Sequence, residues 1–515
     1  MPHLGYTNSK PLSMKNNLFN FTAISSAFLG LLFTVGCNKQ DVNPASSTAA
    51  EQVNNASAAS GSAAFVRRAH QYIIISATDK LPADLESKTT SANGQLTAQL
   101  NEIGLATATS SDPDFASKAS KIAGVRSVIH DFSYQGYNPQ PRTLDADAAT
   151  AAAAGGAALG STNPFYALQW GFEALQVPQA WSKGARGQNV RVAVLDGGFD
   201  LEHPDLKANI VASRSFVPTE PAQFMGMAFS HGTHTAGTVA ALDNNLGVVG
   251  VAPEAKLILV KVLNDNGSGS FSWMINGIYY AVAQQADVIN LSLGAAIPHN
   301  NRYLDDNGTP DNPADDVLVN ETREIQELLV AIGKATTYAR QQGVTVIAAA
   351  GNDANNGNKD GNLVNIPATS PGVISISATG PMGWANTPGT SLDRVASYTN
   401  YGTADVSFAA PGGDFAYPTN ELVNFRGFRS NVWAFDMVLS TNRAGGYTWS
   451  AGTSMAAPHA AGVAALIIGQ HGGQLAPAQV EAALRASADD LGKPGRDPYY
   501  GYGRLNALRA VSQVQ

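Results

Sequence analysis

The stretch Ser450–Leu466 reads SAGTSMAAPHAAGVAAL. It opens with small residues, sets one hydroxyl at Ser454, and continues with Ala, Val and Leu at helical spacing. A serine nucleophile at a buried helix N-terminus has this appearance. Small neighbours let a substrate backbone come close, and the helix end offers unpaired N–H groups and a positive dipole to a developing oxyanion. Pro458 is tolerated within the first turn, where a missing N–H is no loss. The same letters also describe a Gly/Ala-rich core helix with a serine N-cap, and the stretch alone leaves both readings open.

A serine hydroxyl becomes a nucleophile when a base takes its proton and a carboxylate holds that base. Two upstream segments supply those types. Arg191–Gly198, RVAVLDGG, is an apolar β-type run ending in Asp196, and Ser230–Ala240, SHGTHTAGTVA, carries His231 at the start of a small-residue helix. The chain order is Asp196, His231, Ser454. With these three segments the sequence resembles the subtilases, the subtilisin-like serine proteases, whose signatures are V-A-V-[IL]-D-[ST]-G, H-G-T-H-x-A-G and G-T-S-M-A-x-P-H. The order of the three residues is also that of the family.

The resemblance implies roles. Ser454 attacks the scissile carbonyl, His231 is the base, Asp196 orients it, and Asn352 in AAAGN supplies the side-chain N–H for the oxyanion. His234 and His459 are expected to be packed structural histidines. Substrate peptides are expected to add as a strand to Gly267, Ser268 and Gly269 in NGSGS and to Ser292, Leu293 and Gly294 in SLG. The pocket before the scissile bond would be walled by SLG with Ala349 and Gly351, and would prefer large apolar side chains. Asp353–Asn365 departs from the family at the floor of that pocket. Gly197 stands where the family has Ser or Thr, and two insertions flank the cleft, Ala296–Glu321 and Gly413–Gly446.

The loop Leu242–Val248, LDNNLGV, resembles the calcium loop of subtilisins. That resemblance implies structural Ca²⁺ held by carbonyls of Leu242, Leu246 and Val248, a side chain from Asn244 and the carboxylate of Asp205. No N-terminal ligand is legible, and no organic cofactor is implied. The first insertion contains LDDNGTPDNPADD, which reads as a solvated acidic loop or a second cation site.

Apolar β-type runs alternate with helical patterns from Val190: Leu257–Val262, Val288–Leu293, Val344–Ala349 and Val373–Ala378 follow. That alternation predicts an α/β fold with a mostly parallel sheet covered on both faces, the site lying at the carboxyl ends of its strands. With the resemblance, the expectation is a subtilisin-like three-layer sandwich at 163–515. Before it, a small α+β unit at 65–134 resembles the ferredoxin-like inhibitory propeptide of the family. There QYIIIS and VRSVIHD read as strands and the stretch around Leu96–Ile103 reads as a helix. The Ala/Gly-rich run at 135–162 is read as an exposed linker holding the processing site.

The first residues carry Lys10 and Lys15, an apolar run over Leu18–Val35, and Gly36-Cys37. They read as an export signal at 1–37, and TVGC resembles a lipobox whose Cys37 is acylated. A Ser/Ala/Asn-rich tether at 38–64 follows. The chain has one cysteine, so an intrachain disulfide framework is excluded. Forty acidic against 32 basic residues give a net charge of −8, which argues against nucleic acid as a partner. The expected whole is a monomeric, exported or lipid-anchored serine endopeptidase, made as a self-processing zymogen whose propeptide inhibits it. The rival readings are a dedicated maturation protease or transpeptidase, and an inactive surface scaffold.

Overall fold

The computed structural model describes residues 65–136, 142–143, 160–227, 229–298, 302–309 and 312–513. The segment read as an export signal with Cys37, the stretch read as a tether and most of the Ala/Gly-rich run at 135–162 lie outside these residues. Among the described residues no helix is long and apolar enough to cross a membrane.

The leading domain runs β1 (Phe65–Ser76), α1 (Leu85–Ser91), β2 (Gln95–Leu100), β3 (Leu105–Thr109), α2 (Phe115–Ala119) and β4 (Val125–Gln135). All pairings among these four strands are antiparallel, with β1 central between β4 and β3 and β2 beyond β3. The period of two divides β1 between two cores. Tyr72 and Ile74 face α1 and α2, packing with Leu85 and Phe115, while Ile73 and Ile75 face helices of the larger domain.

The segment read as a helix around Leu96–Ile103 is instead strand β2 through Leu100, followed by a turn. Its residues alternate in exposure, and β3 lies beside it as an antiparallel partner. Asn93 at φ +66° and Gly94, whose Cβ would strike the Phe115 ring, turn the chain into the strand before a helix can start. Helical spacing over eight residues is a weak signal against that pairing.

The larger domain is built on seven parallel strands: β5 (Arg191–Asp196), β6 (Ile210–Ser215), β7 (Lys256–Lys261), β9 (Val288–Leu291), β12 (Thr345–Ala349), β13 (Val373–Thr379) and β14 (Phe408–Pro411). Their order is β14-β13-β12-β9-β5-β7-β6. Alternate residues of β5 enter opposite cores. Val192 and Val194 pack towards α3 (His231–Ala240) and α6 (Thr453–Gln470), and Ala193 and Leu195 towards α4 (Phe271–Ala283) and α5 (Thr322–Gln341). Burial on both sides is why these strands read as continuous apolar runs. The strands β6 and β14 carried no such run: Ile210–Ser215 is IVASRS at a sheet edge, and Phe408–Pro411 is only four residues long.

The first insertion folds as a hairpin, β10 (Arg302–Asp305) antiparallel to β11 (Val317–Asn320). Two of its acidic residues are not part of a free solvated loop. Asp305 and Asp306 pair with Arg67 and Arg68 of β1, and β10 joins the leading domain's sheet. Among the described residues no three His, Cys, Asp or Glu side chains gather as a metal cage. The second insertion packs into the main core through Phe425, Phe428 and Phe435.

Candidate active site

Asp196 is the last residue of β5, at the carboxyl edge of the sheet, and is fully buried. Its two oxygens lie 2.8 and 2.9 Å from His231 Nδ1. Gly197 N–H donates to it at 2.7 Å and the Thr235 hydroxyl at 3.0 Å. The carboxylate assigns the proton of the neutral ring to Nδ1, so Nε2 carries the lone pair. Helix α3 holds His231 in its first turn because Ser230 caps it, its side chain accepting from Thr233 N–H. Thr235 sits four residues on from His231, on the same helical face, and reaches the same carboxylate.

His234 and His459 are structural, as their surroundings show. His234 Nε2 lies 3.2 Å from the Val438 carbonyl and 3.1 Å from that of Thr448, and Ser440 and Thr441 donate to carbonyls of the same helix. Burial away from water pushes its pKa down to about 3, so the ring stays neutral and fastens α3 to the strands leading into the nucleophile. His459 is likewise buried, lowered to about 4, with Nδ1 against the Met455 carbonyl at 2.8 Å.

Ser454 enters in the first turn of α6 and is buried. Its hydroxyl donates to the Ser292 carbonyl at 3.0 Å, and the Ser292 hydroxyl donates back to the Ser454 carbonyl at 2.8 Å. Ser454 is therefore tied to the SLG segment in this state, and catalytic hydrogen bonds commonly tighten only when substrate is bound. Asn352 follows β12 by three residues. Its Oδ1 accepts from Thr453 N–H at 2.8 Å and from the Thr453 hydroxyl at 2.9 Å. With the oxygen fixed, the amide nitrogen is the part left for other partners, and it lies 3.5 Å from where a Cβ on Gly452 would stand. Gly351 N–H donates to the same Thr453 hydroxyl.

The expected substrate strands already carry a chain. Ser268–Ser270, strand β8, pairs antiparallel with β4 through Ser133↔Ser270, Tyr134↔Gly269 and Gln135↔Ser268. Gly136 N–H donates to the Gly267 carbonyl at 2.8 Å, and Gly294 N–H lies 3.4 Å from the Gly136 carbonyl. A Cβ on Gly269 would come within 2.3 Å of Leu263 and 3.3 Å of Tyr134, so this wall needs glycine for the strands to approach. Tyr134 is buried against Phe271 at 4.5 Å. Beyond the cleft the chain is described again at Arg142–Thr143, paired with Trp449 and Thr448 just before the nucleophile. Leu293 and Ala349 are buried beside the cleft. The divergent segment Asp353–Asn365 is organised by Asn400. That residue accepts from Asp353 and Asn355 N–H and donates to Ala350 O and Asn365 Oδ1.

The residues expected to hold calcium lie around the buried carboxylate of Asp205. Asp205 is buried and accepts from Val248 N–H at 3.2 Å, from the Asn244 amide at 3.3 Å and from the Tyr447 hydroxyl at 2.8 Å. The Leu242 and Val248 carbonyls converge on the Asn163 amide at 2.9 and 2.6 Å. Asp205, Asn244, Leu242 and Val248 thus share one cluster, whereas Leu246 enters it through its N–H to Asn244 Oδ1. A carboxylate from Asp205 beside the carbonyls and amide oxygen of the Leu242–Val248 loop fits a hard cation. Asn163, which the sequence did not reveal, bridges two of those carbonyls with its amide.

Three further residues at this site escaped the sequence reading. Thr235 and Thr453 each pin a proposed catalytic side chain, and both lie inside the motifs themselves. Lys261, buried at the end of β7, donates to the Gly197 carbonyl at 2.7 Å and pairs with Asp265 at 2.6 Å. A Cβ at Gly198 would stand 2.8 Å from its Nζ, so this glycine makes room for that ammonium.

A family model described as the subtilase family matches residues 187–503. The chain is 35% identical over 344 residues to a subtilisin of Bacillus pumilus, covering 67% of this chain and 98% of that one. It is 37% identical over 300 residues to an intracellular serine protease of Paenibacillus polymyxa, covering 58% and 72%. Among solved structures, that of a lanthipeptide protease has a TM-score of 0.52 at 29% identity, covering 68% of this chain and 95% of its own. Fervidolysin from Fervidobacterium pennivorans has a TM-score of 0.61 at 24% identity, covering 87% and 61%, and shows the fold alone. The chain belongs to the subtilase family and is a serine endopeptidase.

Proposed function

We propose that this endopeptidase cleaves peptide bonds with Ser454, His231, Asp196 and Asn352, and that it is made as a precursor inhibited by its own leading domain. The observation that carries the catalytic assignment is the two-oxygen grip of Asp196 on His231 Nδ1 at the strand ends, beside the helix that opens with Ser454. Ser454 Oγ bonds to the scissile carbonyl carbon while its proton passes to His231 Nε2. Asn352 Nδ2 donates to the carbonyl oxygen as it becomes an oxyanion. The C–N bond then breaks, and the proton moves from His231 to the departing amine. Water repeats the sequence on the acyl-enzyme, with His231 again as base. Throughout, Asp196 fixes the ring and stabilises its cation.

Inhibition rests on β4, whose end lies in register along the NGSGS strand with Gly136 between Gly267 and Gly294. A substrate strand would need the same backbone groups. Export and acylation at Cys37 complete the reading and rest on the sequence of residues 1–37.

A fluorophosphonate probe tests the assignment. The processed protein should be labelled on Ser454, and His231→Ala should abolish the labelling, because no base is left to take the hydroxyl proton. Absent labelling of the wild type, or undiminished labelling of His231→Ala, would remove these residues from their roles.

Calcium belongs to the same proposal. An ion at the Leu242–Val248 loop would bind the folded chain alone, which adds roughly 2.7 kcal/mol at a concentration 100 times its Kd. Chelation is therefore expected to lower the melting temperature by several degrees and to speed autolysis, and Asp205→Ala to do so with calcium present. Coincident melting curves with and without chelator would show that the Asn163 amide closes the loop unaided.

A further inference from the structure

Part of the leading domain's docking surface lies beneath it. Its sheet rests on α4 and α5, where Asp131 accepts from Ser272 N–H at the start of α4, His130 meets Glu324, and Arg126 meets Glu327 at 3.2 Å. The hairpin β10–β11 approaches differently, from the side. Strand β1 is paired with β4 along one whole edge, while β3 covers only Gln71–Ile75 of the other. The rest of that second edge is taken by β10, parallel, through Val66↔Leu304 and Arg67↔Asp305. Unpaired strand edges recruit partners, and here the larger domain supplies one from an insertion outside its own sheet.

The side chains follow the backbone. Tyr303 is fully buried, edge-on to Phe132 at 5.0 Å and to Phe65 at 6.3 Å, and its hydroxyl donates to Glu324 at 3.0 Å. Arg67 pairs with Asp305 and stands 3.7 Å from Glu324, and Arg68 is 3.5 Å from Asp306. Ala69 N–H donates to Asp306 Oδ1 at 3.1 Å, and Asp306 N–H to the Arg67 carbonyl at 3.1 Å. An aromatic anchor ringed by charged pairs is the composition of a binding hot spot.

None of these groups touches the cleft, and none depends on the chain being continuous beyond Gly136. We propose that the β10–β11 hairpin, an insertion outside the larger domain's own sheet, is a clamp that adds to the docking of the leading domain and slows its departure once the connection between the domains is cut. This rests on the leading domain being the inhibitor. The grip itself, however, is measured without catalysis.

The test uses the full chain carrying Ser454→Ala, with a site for a sequence-specific protease placed in the alanine-rich run 149–158. After nicking, the fragments are followed by gel filtration at intervals after dilution. The two pieces of the parent should co-elute, and Tyr303→Ala should speed their separation about tenfold. The pair Asp305→Asn and Asp306→Asn, which keeps side-chain shape, decides the matter if Tyr303→Ala fails to fold. Separation of the parent fragments on dilution, or less than a threefold change in the folded variants, overturns the clamp. Because Ser454 is absent, such a failure leaves the protease assignment standing.

Discussion

The Ser454→Ala protein should keep its leading domain, while the wild type loses it. In the intact chain, Gly136 is held between Gly267 and Gly294, and Arg142–Thr143 is paired to the strand that precedes the nucleophile. The bond to be cut should therefore lie between Gly136 and Arg142, and mass spectrometry of the new N-terminus would locate it. Because substrate and site share one chain, the effective concentration is high and the rate should not change with dilution. Cleavage of added peptides should fall by about six orders of magnitude, the loss measured for the nucleophile of subtilisin itself. Should purified Ser454→Ala be cut at the same place, without any added protease, Ser454 is not the processing nucleophile and the precursor reading fails.

Asn352→Ala should lower kcat by about 10²–10³ with KM little changed, the size found for the matching donor in subtilisin. The structure supplies the reason that this residue is hard to replace. Thr453 donates twice to Oδ1, so the amide is fixed before substrate arrives and costs little to reorganise. Asn352→Asp should do no better than alanine, since it replaces the donor with a second acceptor. Steady-state rates on one chromogenic peptide would decide it. A kcat within threefold of wild type would mean that backbone N–H groups alone hold the oxyanion.

The parts of the fold that could be read early were those where local pattern and tertiary role agree. Strand β5 is apolar because both of its faces are buried, and its last residue is Asp196 for the same reason that the motif ends there. Strand β2 failed that condition. Its leucines sit at a spacing that suits either period, and only the neighbouring β3 decides between them. Asn163, Lys261 and Asn400 were illegible for a related reason. Each acts on groups far away in sequence, and an isolated Asn or Lys carries no periodic signal. The acidic insertion misled in the opposite direction: LDDNGTPDNPADD looks solvated, but its partners Arg67 and Arg68 lie more than two hundred residues upstream.

The side-on hairpin also bears on where the enzyme can act. Cys37 lies on the N-terminal side of any cut between Gly136 and Arg142, so an acyl chain there would stay with the released fragment and not with the protease. From the moment of cutting, attachment to a membrane would pass from a covalent chain to a non-covalent interface, the two short strands and the buried tyrosine among its parts. Loss of the inhibitor and departure from the surface then become a single event. The lifetime of the Tyr303 contact would set how far the protease diffuses before it begins to digest.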